Sequence, residues 1–349
     1  MKRLLAYALV AMMLVPALAQ DRRYNVYGVM FYNLENLFDT INNNGNYDLE
    51  FSPQGARQWN HDKYKKKLHN LSYAISQMTS QGTPSGPAII GVSEIENITV
   101  LQDLVKEPEI SKQHYQIVHH DSPDRRGVDV GLLYNPRFFR VLNVTNQRLY
   151  IKEQPNFLTR DQLCVTGLLG GDKVSVIVNH WPSRLGGQEQ SSYLREAAAA
   201  RVKKTVDSLL VDDPNQGIII MGDLNDDPMD RSCAKVLNAK RNIKDVEGNN
   251  GLYNPFWALL DKGIGTLAYK GGWNLFDQII INGWLTQHKD GKDKPHLTFL
   301  RAEVLNREFL KGHDGDRAGY PLRTYSAGVF LNGFSDHFPT EIFLVKEAK

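Results

Sequence analysis

Six short stretches of the chain hold residues whose types could do chemistry. "FYNLENL" carries Asn33 and "GVSEIEN" carries Glu94. "VNHWPSR" holds His180 and Arg184, and "GDLNDDP" holds Asp223 and Asn225. "FDQIII" supplies Asp277, and "SDHFP" supplies Asp336 beside His337. Asn, Glu and Asp oxygens dominate the set, which suits a hard divalent cation such as Mg²⁺, with Mn²⁺ as a substitute. Zinc fits poorly, because the chain has neither an HExxH pattern nor a cysteine cluster. Two histidines among carboxylates suit proton transfer and the stabilisation of charge growing on phosphoryl oxygens. Each piece alone also has a plain structural reading. "GDLND" is equally a strand-to-loop turn closed by its own side chains. Glu94 is equally an acid favoured at a helix start, His180 a satisfied core imidazole, and Asp336 a cap for a turn. Their joint occurrence, in this order, favours a site.

Buried strands must position these residues. Apolar, mostly β-branched runs occupy 25–32, 87–92, 127–135, 172–180, 216–223, 276–282 and 340–345. Continuous runs of this kind are expected of strands covered on both faces. Each carries a polar residue at one end, where a rigid strand presents a side chain into a cleft. Two amphipathic helices stand between them. One spans 58–79, with Leu68, Leu71, Ile75 and Met78 at helical spacing. The other spans 188–211, with Leu194, Ala198, Val202, Val206 and Leu209 on a stripe. Turn-rich loops are expected at 40–50, 79–87 and 311–321. Strands and helices alternate to the end without a repeat, which predicts one α/β domain over 20–349.

Of 349 residues, 42% are apolar and 23% charged, the balance of a chain with a full core. Residues 1–19 start with Lys2 and Arg3, run apolar, and end Ala17-Leu18-Ala19, the pattern of a cleaved secretory signal. The run is shorter than the ~20 residues of a comfortable membrane span, and no second span follows. The expectation is a secreted or periplasmic protein. Lys2 and Arg3 leave with the signal and no acid does, so 41 basic against 39 acidic residues becomes 39 against 39. Bulk charge therefore gives no reason to expect a polyanionic partner, and any such binding needs a local patch. Cys164 and Cys233 either form one disulfide in an oxidising compartment or remain two thiols.

In order, "YNLEN", "SEIEN", "VNHWPSR", "GDLNDDP", "FDQIII" and "SDHFP" resemble the motifs of the endonuclease/exonuclease/phosphatase superfamily, over nearly the whole chain after the signal. The resemblance implies a four-layer α/β/β/α sandwich of two packed mixed β-sheets, with the active site at one end. It implies divalent-metal-dependent hydrolysis of a phosphate ester by in-line attack of water. A nuclease-like phosphodiesterase is the leading version and nucleic acid a possible substrate. A phosphomonoesterase or a phospholipid-type phosphodiesterase is the alternative, and a silent binding module stands behind both. Carried over by motif, Glu94 is the principal metal ligand, Asn33 lies behind it or on a second ion, and Asp336 faces the metal side. Asp223 orients or deprotonates the attacking water, and Asn225 holds that water or a phosphate oxygen. His180 and His337 bond the scissile phosphate, with Asp277 fixing the tautomer of His337. Arg126 and Arg184 are candidate phosphate clamps, while Arg125 is equally a solvated residue. "HDKYKKK" (61–67) reads as a solvated helix face. Tyr253, Phe256, Trp257, Tyr269 and Trp273 either stack a base or sugar, or form a small core beneath a long loop.

Overall fold

The computed structural model describes residues 23–41, 48–152, 154–269, 271–287 and 295–348. The signal read at 1–19 lies outside these. One sheet contains β1 (Tyr24–Leu37), β2 (Ile89–Ile95), β3 (Gln116–His119), β4 (Asp129–Tyr134), β14 (Thr298–Val304) and β17 (Thr340–Glu347), in the order β14-β17-β1-β2-β4-β3. The second contains β5 (Phe139–Gln147), β6 (Gln162–Leu169), β7 (Asp172–His180), β8 (Gly217–Asp223), β9 (Ala239–Lys240), β10 (Leu252–Tyr253) and β13 (Asp277–Asn282), in the order β5-β6-β7-β8-β13-β10-β9. Each sheet mixes parallel and antiparallel pairs: β1 runs parallel to β2 and antiparallel to β17, while β7 runs parallel to β8 and β8 antiparallel to β13. Two hairpins are added, β11 (Leu267–Tyr269) with β12 (Gly272–Asn274) and β15 (Tyr325–Ser326) with β16 (Val329–Phe330).

Strand alternation sorts the apolar side chains into layers. From β1, Val29 and Phe31 join β8 Ile219 and Met221 and β17 Ile342 and Leu344 in the core between the sheets. Met30 and Tyr32 point the other way, to helices α1 (His61–Ser76) and α2 (Ile98–Leu104). On the far side, Ile177, Ile218, Ile220 and Ile280 pack on α3 (Gln188–Asp212) through Ala198, Ala199, Val202 and Val206. The result is the expected α/β/β/α sandwich. β8 is buried along its whole length, as its uninterrupted apolar run requires. Each such isoleucine contributes roughly 1.5–3 kcal/mol through burial. At Gly91 the sheets approach so closely that a Cβ would lie 2.3 Å from Met221 Sδ.

Element ends moved for local reasons. The helix expected at 58–79 starts at His61, because Gln58 adopts a left-handed φ of 46° and Asn60 caps the Lys63 amide. β1 continues past residue 32 to Leu37 through an irregular pairing with β2. Cys164 and Cys233 are both free thiols buried in the α3 core. Lys67 corrects the reading of 61–67 as a solvated face. It is 1% exposed, and its ammonium donates to Thr324 Oγ1 and Phe334 O (both 2.6 Å) and lies 3.6 Å from Glu35 Oε2.

Candidate active site

Strand register assembles half of the site. Along three adjacent strands, His180 of β7 stands opposite Asp223 of β8, and Asp223 opposite Asp277 of β13. Gly222 precedes Asp223 at φ 158°, where a Cβ would lie 2.3 Å from Asn179 O, so no larger residue fits there. The other half comes from the first sheet. The β2–β4 pairing slips between Ser93 and Ile95, and Glu94 is the bulged residue, at φ 58°. Glu35, Asn36 and Asn225 are also left-handed, at φ 47°, 51° and 50°. Such backbone costs on the order of 1–2 kcal/mol per residue carrying a Cβ, and it concentrates where a site imposes it.

Hydrogen bonds join the halves. Asn33 Nδ2 donates to Asp223 Oδ2 across the two sheets (3.0 Å), and the Asn225 amide donates to Asp223 Oδ1 (3.0 Å). Asp223 Oδ2 also lies between two imidazoles, 3.7 Å from His180 Nε2 and 3.9 Å from His337 Nε2. His337 Nδ1–H donates to Asp277 Oδ2 (2.7 Å), which fixes the ring and aims Nε2 at the cleft. The Ser335 hydroxyl donates to Asn33 O and accepts from the His337 amide, anchoring the "SDH" turn on β1. Arg160 binds the other histidine from behind. It donates to the carbonyls of His180 (3.1 Å) and Trp181 (2.5 Å) and pairs with Asp124 (3.0 Å).

Burial and charge push these groups apart in proton affinity. Burial alone disfavours a charged His337, but Asp277 and Asp223 outweigh it and hold the imidazolium well above its ordinary range. His180 goes the other way: burial, then the charges of Arg160 and Arg126, keep it neutral. Asp223 is pushed up to about 6, first by burial and then by the balance of Asp277 and Glu94 against His337. Glu94 is pushed up by burial but pulled below its usual range by Arg126 and His337. One cationic histidine, one neutral histidine and one carboxyl poised near neutrality thus share a single buried cluster.

The donor set fits a divalent cation. Glu94 Oε2 accepts from the Asn36 amide (3.0 Å), while Oε1 has only long contacts, 3.5 Å to Arg126 and 3.8 Å to His180. Asp336 gives Oδ2 to Arg323 (2.7 Å), while its Oδ1 stands 3.9 Å from His337 Nε2. Each carboxylate keeps an oxygen for a hard ion. Asp223, Asp277 and His337 also offer donor atoms within 4.8 Å of one another.

The geometry bears on three expected roles. Asn33, expected behind the metal ligand or on a second ion, has its amide oxygen accepting from the Glu35 amide (2.9 Å) and its nitrogen donating to Asp223. Asn225 points its amide nitrogen at Trp181 O (3.0 Å). Arg184 is committed to holding the "GDLNDDP" loop. Its Nη2 meets Asp226 (3.3 Å), Asp227 (3.5 Å) and Asp230 (2.7 Å), and its Nε donates to Asn225 O. Asp226 and Asp227 belong to the motif itself and Asp230 follows it by two residues, so no phosphate is needed to balance the charge of Arg184. Arg126 does reach the site, bonding Asn36 Oδ1 (2.6 Å) and lying 3.3 Å from Glu94, whereas Arg125 bonds Asn156 O at the surface. Four residues passed over in the sequence support the site: Glu35, Arg160, Lys67 and Arg323. Only Glu35, inside "YNLEN", carried a local signal. The aromatic segment divides: Phe256 is core, Trp273 stacks on Phe338, and Tyr269 is exposed.

The two-sheet α/β/β/α sandwich, with a carboxylate–histidine cluster joining its sheets, is a deoxyribonuclease-like fold. The chain belongs to the Endonuclease/Exonuclease/phosphatase family, whose model matches residues 28–346. No curated protein sequence matches it significantly. Among solved structures, it is similar to D. rerio TDP2 humanised by 14 mutations, at 13% identity and TM-score 0.56, covering 92% of this chain and 99% of that one. A Bacteroides thetaiotaomicron mannosyl-6-phosphatase is 16% identical with a TM-score of 0.54, covering 91% and 99%. The human Nocturnin catalytic domain with bound sulfate is 15% identical with a TM-score of 0.53, covering 93% and 97%.

Proposed function

We propose that this protein is a divalent-metal-dependent phosphoesterase, and that its leading activity is nuclease-like phosphodiester hydrolysis. The observation that carries this reading is the convergence of His180 Nε2 and His337 Nε2 on Asp223 Oδ2, in a cluster of opposed proton affinities. A bound Mg²⁺ or Mn²⁺, held by Glu94 and Asp336, would supply positive charge to the phosphoryl oxygens. The chain's own residues do the rest. Asp223 orients the attacking water and accepts its proton. Its poise near neutrality suits a base acting at ordinary pH. His337, cationic and braced by Asp277, and neutral His180 hydrogen-bond the phosphoryl group as its charge grows. The water oxygen bonds to phosphorus, the ester P–O bond breaks, and its oxygen leaves as an alcohol after taking up a proton. One water is consumed. The reading of residues 1–19 as a cleaved leader supports an enzyme that acts outside the cytoplasm. Amino-terminal sequencing of exported protein should begin near residue 20.

The test is turnover of bis(4-nitrophenyl) phosphate by protein supplied with Mg²⁺ or Mn²⁺. Chelation by EDTA is expected to stop it and restored metal to recover it. Glu94→Ala and His180→Ala should each lower kcat/KM by at least about 100-fold with the circular dichroism spectrum retained. Full activity in both variants would overturn the site assignment.

A further inference from the structure

A cavity of about 800 Å³ opens beside the site, with Asp336 and Arg323 in its wall. This volume takes one nucleotide-sized group and is too small for a duplex. Its lining is unlike an ordinary surface. Leu185 is 88% exposed and Tyr269 66% exposed, both in the cavity wall. Arg317, also in the wall, makes no ion pair or side-chain hydrogen bond among the described residues. The other arginines there are engaged, Arg184 by three aspartates and Arg323 by Asp336 and Glu35. The wall is also rigidly joined to the chemistry. Tyr320 meets Trp273 edge-on (5.4 Å), Trp273 stacks on Phe338 (6.0 Å), and Phe338 follows His337. The Phe338 amide donates to Thr266 O (2.8 Å) at the base of the β11–β12 hairpin that carries Tyr269.

We propose that this cavity receives one arm of the phosphate ester, a ring-bearing group with a second negative charge, its ring against Tyr269 and Leu185 and its charge on Arg317. The proposal rests on the phosphoesterase reading above and narrows it. A cavity that takes one nucleotide-sized group and not a duplex suits a chain terminus or a small molecule, so the bond cut is a terminal one. Base–aromatic stacking and an unpaired guanidinium are the two recognition devices on offer.

Two probes differ only in the second charge: the 4-nitrophenyl ester of thymidine 5′-phosphate, and the same ester with a 3′-phosphate added. The holoenzyme is expected to prefer the second by about tenfold in kcat/KM, and Arg317→Gln to reduce that ratio to near one. Tyr269→Ala should raise KM for both by roughly fivefold or more. An unchanged ratio in Arg317→Gln overturns the proposal, as does nicking of closed circular duplex DNA at a rate matching the terminal probes. If bis(4-nitrophenyl) phosphate is not turned over at all, the phosphoesterase reading falls and the cavity is tested by itself. Calorimetric binding of thymidine 3′,5′-bisphosphate, weakened about tenfold by Arg317→Gln, then supports the subsite, and equal affinity in the two proteins overturns it.

Discussion

Asp277 stands behind His337 and holds the charge of the imidazole that the proposed mechanism sets against the phosphoryl group. It stands 2.7 Å from His337 Nδ1 and is fully buried, so the imidazolium has a fixed partner and a fixed direction. Asp277→Asn keeps the shape and removes the charge. We expect turnover to fall about 10²- to 10³-fold and the His337 titration, followed by NMR, to move to lower pH. An unmoved titration would show that Asp277 does not set it. Glu341 is the opposite case, a buried acid outside the site. It is 1% exposed at the start of β17, and its Oε1 has no hydrogen-bond partner. Burial, then Glu303, hold it well above the usual carboxylate range. Because the folded-state value is raised, the unfolded chain ionises first as pH increases. Stability is therefore unaffected by this group in acid and falls as pH rises above the unfolded value of about 4.3. Glu341→Gln should melt at least about 2 °C higher than the native chain near pH 7, with the difference vanishing near pH 4. Equal melting at both pH values would contradict it.

Elements meet at the site through a few long-range polar ties. Lys67 on α1 reaches Glu35 at the end of β1, Thr324 before β15 and Phe334 before the "SDH" turn. Glu35 also accepts from the Thr324 amide and hydroxyl (both 2.7 Å). Lys67→Met leaves that buried carboxylate with only the longer contact to Arg323 (3.5 Å), and breaking such a pair costs about 3–5 kcal/mol. Urea unfolding should show this loss, and Glu35→Gln in the same chain should restore part of it. Loss within about 0.5 kcal/mol would mean the ammonium is not needed. The strands were legible because apolar runs and their bounding residues are local facts, and β7 matches its expected span to the residue. Lys67 was not legible. Within "HDKYKKK" it resembles its solvated neighbours, and its hydrogen-bond partners Thr324 and Phe334 stand more than 250 residues away.

For the molecule as a whole, the site exists only because two sheets stack with their ends in line. Asn33 comes from one sheet and Asp223 from the other, and their 3.0 Å bond requires the observed spacing. Gly91 sets that spacing against Met221. Gly91→Val should cost about 1–3 kcal/mol in thermal or urea unfolding, by forcing off-rotamer packing. Met221→Ala added to it should recover a portion by making room. If the double variant shows only the sum of two independent losses, the sheets do not meet there. The sequence alone determined which residue types were present, which strands carried them and in what order. Those facts depend on periodicity and on the chemistry of single side chains. Tertiary structure decided which oxygen each carboxylate had left, that Arg184 is bound by the aspartates of its neighbouring loop, and that Arg317 faces an open cavity. These are distances between residues far apart in the chain, and only the packed fold makes them short.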